Sequence, residues 1–86
     1  MTFEGSVIKE HGVIFGIAVV KMSAMRDATA ANHLTSQFEG ILGVRPVVLM
    51  AQDARGIPRY YGRTDIVENL ANIDIRRILW KKYTYL

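Results

Sequence analysis

The sequence predicts one small α+β domain, with elements in the order ββαββαβ, a mostly antiparallel sheet and two helices. Three observations predict it. The chain has 86 residues, which is the length of a single domain. Its apolar residues switch repeatedly between strand-like runs and the three-and-four spacing of a helix. Turn residues such as Gly12, Gly43, Asp53, Gly56 and Gly62 fall where the period changes. Half of the residues are hydrophobic, which argues against disorder.

The elements follow in chain order. Residues 2–9 are rich in β-formers and read as a strand with Gly5 inside it. Glu10, His11 and Gly12 supply a turn, since glycine takes a positive φ without a Cβ clash. Residues 13–21 give the strongest strand signal, with Val, Ile and Phe at most positions, and pair with the first strand as a hairpin. Between residues 24 and 42, Ala28, Ala31, Leu34, Phe38 and Ile41 mark one face of a helix. Ser23 or Asp27 caps its start, and Gly40 or Gly43 ends it. Residues 46–52 return to a strand. Asp53 and Gly56 bracket a type I turn. Residues 57–61 make a short return strand, which Pro58 restricts to an edge or a bulge. Thr64 reads as the N-cap of a second helix, with Asp65 in the first turn, where the helix dipole favours an anion. Ile66, Val67, Leu70 and Ala71 supply its buried stripe. Asp74 caps a further helical turn through Arg77, and from Ile78 onward the alternation reads as a terminal strand.

Without its first strand the order is βαββαβ, the split βαβ order of ferredoxin-like domains, a likeness of pattern and not of family. Right-handed crossovers then put both helices on one face of the sheet. The strand compositions pull against that arrangement. Val13, Phe15, Ile17 and Val19 lie opposite Ile14, Gly16, Ala18 and Val20, and Val47, Leu49 and Ala51 lie opposite Val48 and Met50. A sheet with one wet face alternates apolar and polar residues, and these two strands do not. Either the helices divide between the faces, or a second subunit covers the bare one. Apolar burial is worth about 25 cal/mol per Å², so a bare face favours association. The expectation is a homo-oligomer joined through an apolar sheet face or edge.

Several chemistries are excluded or unsupported. The chain has no cysteine, which removes disulfides, thiolate metal sites and thiol catalysis. Its longest apolar run, residues 13–20, is far short of the roughly 20 residues that span a bilayer. Glu4 and Glu10 ahead of that run are wrong for the positive start of a secretory signal, so a cytoplasmic chain without membrane association is expected. Neither His11 nor His33 has a histidine or an acid at i+3 or i+4. Ser6, Ser23 and Ser36 lack the setting of a nucleophile, and no glycine-rich nucleotide cradle occurs. No catalytic set, cofactor or metal is expected.

Charge is unevenly spread. Residues 1–43 carry three Lys and Arg against four Asp and Glu, and residues 44–86 carry eight against four. The basic excess gathers with aromatic residues in two stretches. Arg55, Arg59, Tyr61 and Arg63 flank one turn and strand, and Arg76, Arg77, Trp80, Lys81, Lys82 and Tyr83 follow near the C-terminus. Guanidinium and ammonium groups attract phosphate, and aromatic faces stack on bases, so nucleic acid is one partner such residues would suit. Tyr and Trp also enrich protein interfaces. The first reading is a core with a solvated basic fringe. A protein-interaction surface, including one for an acidic partner, comes second, and nucleic acid third. The function expected is therefore a non-enzymatic protein-interaction module.

Overall fold

In a computed structural model, which describes residues 2–10 and 12–85, two central strands are buried on both sides over most of their length. The sheet has five strands: β1 (Thr2–Glu10), β2 (Val13–Val19), β3 (Val47–Gln52), β4 (Pro58–Tyr61) and β5 (Lys81–Thr84). Helix α1 (Ala28–Leu42) joins β2 to β3, and α2 (Thr64–Leu70) begins the path from β4 to β5. The strands lie in the order β4-β3-β2-β1-β5. The β2–β3 pair is parallel and the other three pairs are antiparallel. The α+β class, the ββαββαβ order and the mostly antiparallel sheet are those read from the sequence.

The topology departs from the split βαβ pattern. In that pattern another strand separates the two strands that a crossover helix joins, whereas β2 and β3 are neighbours. The helices also divide, one to each face. On one side Phe3, Ala18, Val47 and Leu49 pack with Ala31 and Phe38 of α1. On the other, Phe15, Ile17, Val48 and Met50 pack with Ile66 and Leu70 of α2 and with Ile78. The physical reason is the one that the strand compositions carry. Both sides of β2 and β3 are apolar, so the stable arrangement puts them at the centre with a helix against each face.

Local chemistry sets the element ends. Asp27 is the N-cap of α1; its carboxylate accepts from the Thr29 amide at 2.9 Å and the Ala30 amide at 3.4 Å. The helix therefore begins at Ala28 and not at residue 24, and Met22–Met25 forms a separate 3-10 turn. Gly43, at φ 73°, closes α1, and Gly40 lies inside the helix. Thr64 is not the cap of α2. Arg63 occupies that position without a side-chain cap, and its guanidinium instead takes the Asp65 carboxylate. Asp74 caps a 3-10 turn, Ile75–Arg77, as expected. The last strand starts at Lys81, later than the alternation suggests, because Ile78 turns into the core. The expected turn residue His11 lies outside the described residues, and His33 is exposed on α1.

Two glycines make opposite predictions. A Cβ on Gly5 would sit 2.9 Å from the Ile17 carbonyl oxygen, where backbone must shift, whereas a Cβ on Gly40 meets nothing within 4 Å. Gly5→Ala should lower stability by about 1–3 kcal/mol through overpacking. Gly40→Ala should raise it by about 1 kcal/mol through helix propensity. Urea unfolding of both variants measures the two signs.

Candidate functional site

The basic and aromatic residues singled out from the sequence fall into two groups at opposite edges of the sheet. Arg55, Arg59, Tyr61 and Arg63 lie on or beside β4. Arg76, Arg77, Trp80, Lys81, Lys82 and Tyr83 lie on or before β5. Four strand spacings, roughly 19 Å, separate the two edges. The rings are occupied. The Tyr61 hydroxyl donates to Asn32 Oδ1 at 3.0 Å, Trp80 Nε1 donates to the Ile75 carbonyl at 3.1 Å, and Tyr83 stacks on Phe3 with centroids 5.2 Å apart. Several cations are occupied as well. Arg63 grips Asp65 at 2.6 Å, Arg76 grips Asp74 at 2.8 Å, and Arg59 lies 3.5 Å from Asp53. Arg55, Arg77, Lys81 and Lys82 form no ion pair among the described residues.

A different feature lies on the outer side of β1. That strand has nine residues and β5 has four. β5 pairs with residues 2–5 of β1, so among the described residues no strand lies beside residues 6–10. The direction of the backbone groups there follows from the register. The Gly16 amide donates to the Pro46 carbonyl at 2.9 Å, on the β3 side, so Gly16 turns its backbone away from β1. Val7 stands opposite Gly16, and in an antiparallel ladder such a pair exchanges no hydrogen bonds. Val7 and, two residues on, Lys9 therefore point their N–H and C=O groups outward. Ser6, Ile8 and Glu10 bond inward to β2.

Exposed apolar side chains surround this free edge. Val7 is 45% exposed, Ile14 on the neighbouring strand 50%, and Leu79 83%. The other two edges are protected in the usual ways: Lys81 and Lys82 charge β5, and Pro58 and Arg59 interrupt β4. A groove of about 640 Å³ runs along the free edge, with Asn72, Asp74, Arg77 and Leu79 opposite β1. Two hydrogen bonds fix its wall. The buried Ser6 hydroxyl donates to the Leu79 carbonyl at 3.1 Å, and the Trp80 indole holds the 3-10 turn. Within the groove Asp74 is satisfied. The Arg76 guanidinium, together with the Arg76 amide, holds its carboxyl down from 3.8 to about 2. Lys9 and Arg77 form no ion pair among the described residues.

Sequence reading missed Val7, Lys9, Ile14 and Leu79. No sequence signal marked them: the alternation from Ile78 reads as a longer strand, and the edge is open only because β5 begins at Lys81, opposite Gly5. Among the described residues no three His, Asp or Glu side chains converge as a metal site, and no helix is long and apolar enough to cross a membrane. Compared with known protein families, with curated proteins and with solved structures, the chain matches none.

Two measurements check this geometry. Amide hydrogen exchange should alternate along β1, with Ser6, Ile8 and Glu10 slow and Val7 and Lys9 fast. Slow exchange at Val7 and Lys9 in the free chain would mean that something already covers the edge. For Asp74 the folded value is depressed, so its contribution to stability is present above 3.8 and disappears as pH falls through about 2. An NMR titration of its carboxyl carbon should show a midpoint near 2 in the wild type and a clear rise toward 3.8 in Arg76→Gln.

Proposed function

We propose that the chain is a small, non-enzymatic protein-interaction module that receives an extended segment of a partner along the free edge of β1. The observation that carries this reading is the coincidence of outward Val7 and Lys9 backbone groups with exposed Val7, Ile14 and Leu79. Unpaired strand edges template the addition of another strand, and natural sheets block those they do not use. Here β5 carries two adjacent lysines and β4 a proline beside an arginine, whereas the open stretch of β1 sets a single outward lysine, Lys9, beside exposed Val7. Main-chain hydrogen bonds would supply affinity, and the side chains around the edge would supply selectivity. We place this exchange in the cytoplasm, where a cysteine-free domain needs no disulfide.

The self-association expected from the sequence rested on a bare sheet face. With a helix on each face that motive is gone, and the edge is the remaining route to an oligomer. Base stacking by Tyr61, Trp80 and Tyr83 has little to support it, since all three rings are half-buried against the two cores and Tyr83 already stacks on Phe3.

Site-specific photocrosslinking in cells tests the reading. A photoreactive residue at Lys9 should give protein adducts at least tenfold above one at Arg59 on the β4 edge. Val7→Pro removes an outward amide and spares the β1–β2 ladder. It should abolish those adducts while far-UV circular dichroism stays unchanged. Equal adducts from the two edges, or adducts that persist in a folded Val7→Pro variant, contradict the reading.

A further inference from the structure

Resting on that reading, we infer that the occupant is a short, extended, acidic segment of a different protein, about four residues long, with one apolar side chain at the β5 end. Length comes first. The place opposite Gly5 is taken by Lys81, and the Ser6–Leu79 hydrogen bond holds the incoming chain just beside it. Only residues 7–10 are open, so a guest strand must leave the track after about four residues.

The same limit separates a peptide from a second copy. The register that pairs Val7 and Lys9 of both copies sets Glu10 of one copy opposite Ser6 of the other. There the chain must turn back toward Val13 just where Lys81 pairs with Gly5, and the other register, Lys9 opposite Lys9, sets two like charges side by side. A peptide end has no such turn and fits the open stretch.

Charge and polarity assign the positions. Antiparallel entry continues the direction of β5 and gives the better ladder. A guest residue opposite Lys9 shares its face, and a carboxylate there meets an ammonium that forms no ion pair among the described residues. The residue opposite Ile8 projects to the other face, over the groove wall that carries Arg77. Arg76 grips Asp74, and Arg77, which acts on Asp74 only through space, forms no ion pair among the described residues and keeps its guanidinium donors for the guest. The residue opposite Val7 lies against exposed Val7, with Ile14 on the adjoining strand, and suits an apolar side chain. From N- to C-terminus the guest reads acidic, acidic, apolar. Glu10 lies at the hairpin end, beyond these three positions.

Three labelled hexapeptides form the test: Gly-Ser-Glu-Glu-Val-Ser, its Gln-Gln counterpart and its Lys-Lys counterpart, titrated into the full chain with NMR shifts at the Val7 and Lys9 amides as readout. The Glu-Glu probe should bind about two- to twenty-five-fold more tightly than the Gln-Gln probe, since each of two surface ion pairs is worth about 0.2–1 kcal/mol. The double variant Lys9→Glu with Arg77→Glu should prefer the Lys-Lys probe. Equal binding of the Glu-Glu and Gln-Gln probes overturns the acidic assignment and leaves the edge reading standing. Failure of all three overturns the edge reading itself. Sedimentation as a dimer that loses its partner in Val7→Pro reassigns the occupant to a second copy. Displacement of the Glu-Glu probe by an oligouridylate that binds Val7→Pro equally well reassigns the site to phosphate.

Discussion

Two strands whose middle residues are buried on both faces govern this structure. Phe15, Ile17 and Ala18 of β2 and Val48, Leu49 and Ala51 of β3 have no exposed surface. Burying a large aliphatic or aromatic side chain is worth about 1.5–3 kcal/mol, and these side chains point alternately to opposite sides. No arrangement with both helices on one face keeps them dry within one chain. Dividing α1 and α2 between the faces does, and it follows that β2 and β3 sit at the centre of the sheet.

The edges are a consequence of that choice. With β2 and β3 central, β1 and β4 flank them, and the chain after β4 must cross a whole face to find an edge to join. It does so through α2 and the 3-10 turn, whose residues Ile66, Leu70 and Ile78 are the cover of that face. The crossing brings the chain to the edge of β1 only at Gly5, where β5 begins. That late entry, beside a β1 that runs on to Glu10, is what opens the edge at Val7 and Lys9. The candidate site is thus the unpaired remainder of a fold solved for burial, with side chains around it that do not repel a guest.

Much of this was legible in the residues, and the limits have physical causes. The period of Ala31, Leu34, Phe38 and Ile41 marks α1 because a helix buries one stripe. The two-sided strands announced that both faces need cover, and left open whether a helix or a subunit supplies it. Strand order was not legible, since a parallel β2–β3 pair is a long-range contact that no local pattern encodes. The basic and aromatic residues read as two stretches, a core fringe first and an interaction surface second, with nothing in the sequence to say how far apart the stretches lie. Space puts them at two edges. Their local neutralisation was visible in principle: Arg63 and Asp65, and Asp74 and Arg76, are each two residues apart. Val7 resembles any strand residue, and only the extent of its neighbour strand reveals that its edge is free.

The most direct test of the central claim is a set of nuclear Overhauser contacts across both sheet faces, recorded where sedimentation gives a single chain. The account predicts contacts from the Ile17 methyls to Ile66 or Leu70 and from the Ala18 methyl to Ala31 or Phe38 in the same monomer. Contacts on one face alone, with the other appearing only between differently labelled chains, would contradict it.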